Sequence, residues 1–331
     1  PSGELVSTPH QIHDRFPAGN IGYARKLPGF RVPNRPEDAP CAIAKIVRAI
    51  REDVGFTNLQ NPRGDILAFL PTIKLVRDAA REISRLGIPE LEVITCYADS
   101  PPEEYDKFRA SEKRAERAFS EGRATTPQRV ILATNYAETS VTISNLVYVI
   151  DSGWIMEPVW NSEASSMDYP VRRHSRAGCT QRKGRVGRVQ PGEVFRLYAE
   201  AEFHDGSTFR PTVLPEIARA PLDKFLLAAK ACGIEDLDSF KWLGYDGSKQ
   251  QNKERKRALA ALKRAGALDE DADLTNRGVE LEGLEPKFVD HALLLSESDA
   301  FGCSLEVATL LSFVSAGRKL FLENEQELVS Y

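Results

Sequence analysis

The chain has 331 residues, of which 42% are hydrophobic and 28% are charged, and its formal net charge is −4. This composition is that of a globular protein and excludes a fibrous or disordered chain, and the length suffices for two or three domains with separate cores. No apolar run approaches the roughly 18 residues of a membrane helix, and the N-terminal residues do not form a signal peptide. We therefore expect an intracellular protein, cytoplasmic or nuclear, whose five dispersed cysteines are reduced thiols and bind no metal.

Five short apolar runs predict strands that are buried on both faces of a parallel sheet. They are Asp65-Ile-Leu-Ala-Phe-Leu70, Glu92-Val-Ile-Thr-Cys96, Arg129-Val-Ile-Leu-Ala133, Leu146-Val-Tyr-Val-Ile150 and Glu193-Val-Phe-Arg-Leu-Tyr198. Between them lie apolar stripes at helical spacing, one from Ile43 to Val54 and another from Val76 to Leu86. The alternation from about residue 40 to 200 predicts an α/β domain with a RecA-like, doubly wound parallel sheet. Residues 1–39 are interpreted as a linker or edge strand.

A cluster of short polar side chains follows the third predicted strand, in Ala133-Thr-Asn-Tyr-Ala-Glu-Thr-Ser-Val-Thr-Ile143. Ligands of open α/β sheets bind beyond the carboxyl ends of the strands. Hydroxyl groups, amides and backbone N–H groups there suit contacts to a sugar-phosphate backbone. Capping of the next helix by Ser and Thr explains the same cluster equally well.

The segment Gln181-Arg-Lys-Gly-Arg-Val-Gly-Arg188 concentrates positive charge in an otherwise acidic chain. Helical spacing predicts that Gln181, Arg185 and Arg188 lie on one face. Gly184 and Gly187 are unfavourable in a helix, and we interpret them as positions where a phosphate approaches the backbone closely. A solvated basic helix is the alternative interpretation.

Taken together, these motifs resemble the second RecA-like domain of the DEAH-box (RNA helicase A-like) superfamily 2 helicases. The resemblance is carried, in chain order, by Gly64-Asp-Ile-Leu-Ala-Phe-Leu-Pro71, Ala133 to Ile143, Tyr148-Val-Ile-Asp-Ser-Gly-Trp154 and Gln181 to Arg188. It implies an NTP-dependent nucleic-acid helicase that acts on single strands; the family favours RNA, and the sequence itself leaves RNA and DNA both open. The partners that it implies are this nucleic acid, a first RecA-like domain and a protein activator, with no membrane.

The resemblance also assigns roles to individual side chains. It implies that Gln181, Arg185 and Arg188 make catalytic contacts to the γ-phosphate of a bound nucleotide, with the two arginines acting as arginine fingers. The nucleotide is ATP or another NTP with Mg²⁺, and the first RecA-like domain holds most of it. Further nucleotide-site residues are Arg182, which braces the site or meets the triphosphate from the side, together with Gly184, Glu138 and Phe108. The nucleic-acid backbone contacts are assigned to Thr134, Asn135, Thr139, Ser140 and Thr142. No metal ligand is expected among them.

Beyond the sheet the resemblance predicts three more features. A β-hairpin over Trp154 to Tyr169 lies where the family places one beside the duplex junction. The helix containing Leu259 and Leu262, ended by Gly266, and a turn from Asp269 to Asp273 resemble a winged-helix domain. The predicted limits are 40–210 for the RecA-like domain, 211–280 for the winged helix and 281–331 for the start of a helical ratchet bundle.

Two departures from the family pattern affect these expectations. Phe108 stands one position before the family's base-stacking aromatic residue, and Arg109 occupies that place. The chain has no Gly-x-x-x-x-Gly-Lys-Ser/Thr loop and no Asp-Glu-x-His motif, so we expect no NTP hydrolysis by this chain alone. We interpret it as the C-terminal piece of a larger helicase.

Three other classes remain compatible with the sequence. Flavivirus or potyvirus helicases also carry a Gln-Arg-x-Gly-Arg-Val-Gly-Arg motif, although the winged-helix resemblance disfavours them. A stand-alone module that binds nucleic acid or a protein is the second alternative. A catalytically inactive scaffold is the third, and the intact arginine motif disfavours it.

Overall fold

The computed structural model describes residues 10–17, 23–27, 29–52, 56–57, 59, 64–98, 100–123, 127–138, 143–164, 166–244, 247–284 and 288–316. The chain divides into two compact units, one of Pro1–Glu157 with Tyr169–Val213 and one of Pro158–Asp168 with Leu214–Tyr331. No helix in the described ranges is long and apolar enough to cross a membrane. All five cysteines lie in those ranges and none forms a disulfide.

The strands and helices of the described residues are numbered in chain order. The strands are Ile12–Arg15 (β1), Asp65–Phe69 (β2), Leu91–Cys96 (β3), Gln128–Ala133 (β4), Leu146–Asp151 (β5), Trp154–Met156 (β6), Val159–Asn161 (β7), Ser166–Asp168 (β8), Val171–Arg173 (β9) and Gly192–Arg196 (β10). The α-helices are Ala39–Glu52 (α1), Ile73–Ser84 (α2), Pro102–Ser120 (α3), Arg176–Lys183 (α4), Glu200–Asp205 (α5), Leu222–Ala231 (α6), Lys249–Arg264 (α7), Asn276–Gly283 (α8), Val289–Ala300 (α9) and Ser304–Ala316 (α10). Short 3₁₀ turns include Asn135–Glu138 and Glu216–Ala218.

The first unit is built on a parallel sheet whose six described strands run in the order β1-β10-β5-β2-β4-β3. Every residue of β2, β4, β5 and β10 is buried, as expected for strands covered on both faces. Alternate residues of β2 enter different cores: Ile66 packs with α1 and α2, whereas Leu67 packs on the face that carries Phe108 of α3. The predicted RecA-like α/β fold is confirmed.

The predicted edge strand within residues 1–39 is β1, which pairs in parallel with β10. Two diagonal ion pairs join these strands. Asp14 accepts from Arg196 Nε at 2.7 Å, and Arg15 Nη1 lies 3.5 Å from Glu193 Oε2. Asp14 and Arg15 are consecutive residues of a strand, so the two pairs lie on opposite faces of the sheet.

Helices α1 and α3 border the sheet. The first apolar stripe forms α1, which ends at Glu52, and Val54 lies outside the described residues. The charged residues after Ser111 form the C-terminal half of α3 and are mostly exposed, whereas Phe108, Ser111 and Ala115 of this helix are buried. Glu112 of this helix forms an ion pair with the buried Arg129 of β4 at 2.5 Å.

The predicted hairpin is present and consists of two short antiparallel ladders, β6 with β9 and β7 with β8. The outer ladder groups with the second unit, where the ring of Trp160 stacks on Phe288 at 5.6 Å between centroids. Trp160 is therefore a packing residue of that unit, whereas Tyr169 is 56% exposed.

The second unit has a core formed by α6, α7, α8 and α9. Leu262 is fully buried in it, and Gly266, with φ 69°, follows the end of α7 as predicted. An antiparallel bridge joins Leu268 to Leu274, and Asp269 accepts from two backbone N–H groups of the turn between them. The winged-helix and ratchet-bundle assignments and the predicted domain limits remain predictions; residues 285–287 and 317–331 of these segments lie outside the described ranges.

Candidate functional site

The basic motif does not form one continuous helical face. Helix α4 ends at Lys183, with Gly184 as its C-cap, so Gln181 is helical whereas Arg185 and Arg188 lie in the following turns. The prediction that these three side chains align on one helical face is wrong. The reason is local: the Arg185 and Val186 N–H groups bond three residues back, to the Arg182 and Lys183 carbonyls, and Gly187 then adopts a left-handed φ of 75°, which a right-handed helix does not accommodate.

The two glycines of the motif have different roles. A Cβ on Gly187 would lie 2.6 Å from Cγ1 of Ile12 in β1, and the Gly187 carbonyl accepts from the His10 N–H at 3.1 Å. Gly187 is thus required for packing against the sheet edge rather than for a ligand. A Cβ on Gly184 would meet nothing closer than 3.4 Å, so the space beside Gly184 is open.

Arg182 is fully buried on the face of α4 that covers the sheet. Its Nε donates to Glu138 Oε1 at 2.8 Å, its Nη1 to Asp151 Oδ1 at 2.8 Å, and its Nη2 to the Trp154 carbonyl at 3.1 Å. Each of the three guanidinium nitrogens therefore donates within the protein, and the side chain is fully buried. Of the two roles considered for Arg182, this geometry favours a brace.

Asp151, at the carboxyl end of β5, lies at the centre of this buried network. It has no exposed surface and also accepts from Arg196 Nη1 at 2.9 Å and from the Tyr198 hydroxyl at 2.8 Å. Burial alone would raise the pKa of Asp151, but Arg182 and Arg196 outweigh it and hold that pKa well below its ordinary value. The carboxyl is charged at neutral pH and ties α4 to two strands.

Glu138 connects the network to the turn that follows β4. Burial would raise its pKa, but Arg182 and His174, whose Nε2 lies 3.2 Å from Oε1, lower it below the ordinary value. The turn Asn135–Glu138 and the end of α4 are thereby fixed relative to one another. Glu138, which the resemblance assigned to the nucleotide site, thus joins the two motifs inside the first unit through its described contacts.

Arg185 and Arg188 differ from the buried Arg182. Arg185 is half-buried and Arg188 is exposed, with its Nε donating to the Gly184 carbonyl at 3.1 Å. Burial, and then the charge of Arg188, lower the pKa of Arg185. Two guanidinium groups that repel each other in partly desolvated surroundings are suited to binding an anion. Gln181 is exposed beside them on the last turn of α4.

The predicted nucleic-acid contacts are only partly described. Thr134 is 9% exposed and Asn135 is exposed, both directly after β4 at the carboxyl edge of the sheet. Thr139, Ser140 and Thr142 lie outside the described residues. Of the two described residues, Asn135 therefore has the accessible side chain.

Phe108 cannot stack on a nucleotide base in this structure. It is 6% exposed and packs in the core between α3 and the sheet, together with Leu67 and Ile131. Its position on the buried face of α3 explains the failure of this prediction. Arg109, the next residue, is exposed and lies 5.8 Å from the Tyr105 ring centroid.

Three residues of the network, Asp14, Asp151 and Arg196, had no predicted role. Asp151 belongs to one of the motifs that carry the resemblance, and Asp14 lies in the segment interpreted as a linker or edge strand. Arg196 carried a usable signal, because a charged residue inside the apolar run of β10 must find buried partners. It finds them in Asp14 and Asp151.

Comparisons with known proteins agree with this architecture. The helicase conserved C-terminal domain matches residues 44–190. The fold is similar to that of the E. coli DExH-box NTPase HrpB, at 23% sequence identity and a TM-score of 0.64 over 86% of this chain and 30% of that chain. A second structure, the Escherichia coli DEAH/RHA helicase HrpB, matches at 22% identity and a TM-score of 0.64 over 87% of this chain and 32% of that one. The chain thus spans about a third of the length of these structures.

Proposed function

We propose, from the match of residues 44–190 to the helicase conserved C-terminal domain, that the chain is part of an NTP-dependent RNA helicase. In this proposal Arg185 and Arg188 act as arginine fingers toward an NTP that another domain holds. Gln181 contacts the same phosphate end. Asn135 and Thr134, with Thr139, Ser140 and Thr142, hold a single-stranded backbone.

The observation that carries the proposal is that the three arginines of one motif differ in burial and in hydrogen bonding. Arg182 is fully buried and bonded to three partners, whereas Arg185 and Arg188 stand outside the helix and repel each other electrostatically. A pair of cations held in this way is stabilised when phosphate oxygens approach it, and that stabilisation grows as negative charge develops in phosphoryl transfer.

The donor set fits a phosphate but not a magnesium ion. Arg185 and Arg188 provide donors only, and Glu138, a carboxylate close enough to influence Arg185, already accepts from Arg182. Magnesium and most of the nucleotide would therefore be held by a first RecA-like domain, where the ion would neutralise phosphate charge. The residues of this chain would complete the site from the opposite side.

The buried network supports a coupling between the two proposed contacts. Arg182 bonds Glu138, which ends the turn that begins with Asn135, and it also lies three residues before Arg185. A displacement of the arginine turn is therefore transmitted to the proposed strand-binding turn through a side-chain hydrogen bond rather than through flexible backbone. This arrangement suits an enzyme in which nucleotide state alters the grip on a single strand.

The proposal is tested by NTP turnover in a longer protein that joins this chain to a Walker-loop domain. We expect Arg185→Ala and Arg188→Ala each to lower kcat by about 10³ or more, the range known for arginine fingers. Arg85→Ala is the matched control, because Arg85 is an exposed arginine whose described ion pair, with Glu82, lies at the end of α2. A loss smaller than tenfold for both motif variants would contradict the assignment.

Two further measurements separate the parts of the proposal. The 331-residue chain alone should turn over NTP no faster than the background. Asn135→Ala should weaken binding of single-stranded RNA while leaving binding of a nucleotide analogue to the longer protein unchanged. RNA affinity that is independent of salt concentration would argue against backbone contacts.

A further inference from the structure

Helix α7 of the second unit carries a row of lysines along one side. The helix contains seven basic residues and a single acid, Glu254. At 3.6 residues per turn, its four lysines fall within an arc of about 80° around the helix axis. We call this set the lysine stripe; its members are Lys249, Lys253, Lys256 and Lys263. The proposed arginine fingers and strand-binding turn make no use of it.

The lysine stripe faces away from the core of the second unit. Leu262, on the opposite side of α7, is fully buried, whereas the first three lysines are exposed and the fourth is partly exposed. Ala260, also exposed, lies in the middle of the arc, and its small side chain leaves the helix surface open between the lysines. At about 1.5 Å per residue the stripe is about 21 Å long, which suits a ligand with a series of charges.

The charge of the lysine stripe has few counter-charges. Lys253 Nζ lies 4.0 Å from Glu163 Oε1, at the outer limit of an ion pair. Lys263 donates to a backbone carbonyl, which does not balance its charge. Among the described side chains, Lys249 and Lys256 form no ion pair within 4.0 Å.

The acids next to α7 are instead paired with its arginines. Arg255 pairs with Asp238, and Arg257 lies 3.6 Å from Glu254 and 3.9 Å from Glu163. Glu163 therefore divides its charge between an arginine and one lysine of the stripe. A positive field remains on this side of the helix, in a chain whose net charge is −4.

The lysine stripe opposes the stability of its own helix. Lys249 and Lys253 repel each other at a spacing of four residues. Both also lie near the N-terminus of α7, where the helix dipole favours acids, and the first turn contains none. A solvated helix is usually mixed in charge, as α3 is, with five acidic and five basic residues. The single sign along α7 indicates a ligand that removes the repulsion.

We propose that the lysine stripe binds the phosphate backbone of single-stranded nucleic acid without reading its bases. Lysines are flexible point charges that suit phosphates, and α7 has no aromatic residue on which a base could stack. A flexible single strand can follow the whole stripe, whereas a duplex and a helix are both convex and touch over a shorter length. The contact needs no NTP and is therefore independent of the proposed arginine fingers.

The test uses the 331-residue chain and a labelled oligouridylate of about 12 nucleotides, with fluorescence anisotropy at several salt concentrations and no NTP. Each phosphate contact to a single strand contributes about 0.7 to the slope of log K against log salt concentration. We therefore expect the variant Lys249→Gln/Lys253→Gln/Lys256→Gln to lower the magnitude of that slope by about 2 and to raise Kd about tenfold or more at about 0.1 M salt. The control variant Lys107→Gln/Lys113→Gln/Lys224→Gln removes the same charge from exposed positions of other helices and should bind like the unmodified chain.

A gain of binding gives a second criterion. Ala260→Lys adds a charge in the middle of the lysine stripe and should lower Kd and increase the magnitude of the slope by about 0.7, whereas Ala110→Lys on the exposed face of α3 should change neither. No binding by the unmodified chain, an unchanged slope in the stripe variant or equal weakening in the control would each overturn the proposal.

Two competitors distinguish other occupants of the lysine stripe. An RNA duplex that loses at least as much affinity as the single strand in the stripe variant would place a duplex there and overturn the proposal. A polyglutamate peptide that binds more tightly than the oligouridylate and loses this affinity in the stripe variant would place an acidic protein segment there, with the same consequence. Either failure leaves the arginine fingers to be judged by NTP turnover.

Discussion

Replacement of Arg182 by methionine isolates the energetic role of the buried network. The substitution keeps an unbranched chain of similar reach but removes the three hydrogen bonds to Glu138, Asp151 and the Trp154 carbonyl. Asp151 would retain Arg196, the Tyr198 hydroxyl and the Gly153 N–H, whereas the described contact left to Glu138 would be the His174 imidazole, 3.2 Å away.

The expected loss follows from which charge is left without a partner. Removing one member of a buried ion pair typically costs about 3–5 kcal/mol, because the other charge remains desolvated. Since Asp151 keeps its second arginine, we expect a loss of about 3 kcal/mol in the free energy of unfolding of the first unit, most of it from Glu138. The adjacent Lys183→Met is the matched control. Lys183 is 33% exposed and pairs with Asp14 at 3.1 Å, so its loss should cost no more than about 1 kcal/mol.

Urea unfolding reports this difference in a Trp160→Phe/Trp242→Phe background, where Trp154 gives the signal of the first unit. A loss below about 1 kcal/mol for Arg182→Met, or equal losses for Arg182→Met and Lys183→Met, would refute the reasoning. A double-mutant cycle adds a stricter criterion. If Glu138 accounts for most of the cost, Glu138→Gln combined with Arg182→Met should be less destabilised than the sum of the single variants.

Three further predictions concern the same chain. The folded-state pKa values of Glu138 and Asp151 lie below their ordinary values, so both carboxylates stabilise the fold fully above about pH 5, and this stabilisation decreases as they become protonated at lower pH. The free energy of unfolding of Asp151→Asn should therefore fall less steeply in acid, and an unchanged slope would contradict this. Gly187→Ala should destabilise the first unit by about 2 kcal/mol or more, through its φ of 75° and the contact at 2.6 Å, whereas Gly184→Ala should change stability by less than about 0.5 kcal/mol in urea titrations. Trp160→Ala should lower the stability of the second unit by about 2 kcal/mol in calorimetry, and Trp160→Phe by clearly less, because the stacking on Phe288 is partly kept.

The sheet could be predicted because each of its inner strands is marked by a short apolar run in the sequence. Buried parallel strands require continuous apolar runs, and each of the five predicted runs overlaps an observed strand. The edge strand β1 was harder to identify, since its four residues, Ile-His-Asp-Arg, carry no apolar run, and its place in the sheet depends on ion pairs with β10.

The sequence indicated candidate residues for the site but not how they are arranged in space. Spacing alone treats Gln181, Arg185 and Arg188 as equivalent helical positions, but the glycines between them end the helix and turn the chain back to the sheet. The identity of the buried arginine also cannot be read from spacing, because Arg182 is distinguished by Glu138 and Asp151, which are 44 and 31 residues away in the chain. Long-range charge pairing is set by the fold and leaves only an indirect trace in the sequence.

The two diagonal ion pairs between β1 and β10 also determine which strand can occupy this edge of the sheet. Arg196 is 1% exposed and Glu193 is fully buried, so each needs a counter-charge from the neighbouring strand. A strand shifted by one residue, or an unrelated strand from another molecule, would separate Glu193 from Arg15 and Arg196 from Asp14, and of the two counter-charges of Arg196 only Asp151 of β5 would remain. This edge of the sheet therefore favours a strand in which an acid is followed directly by a base. Such a preference disfavours exchange of the short edge strand and edge-to-edge aggregation.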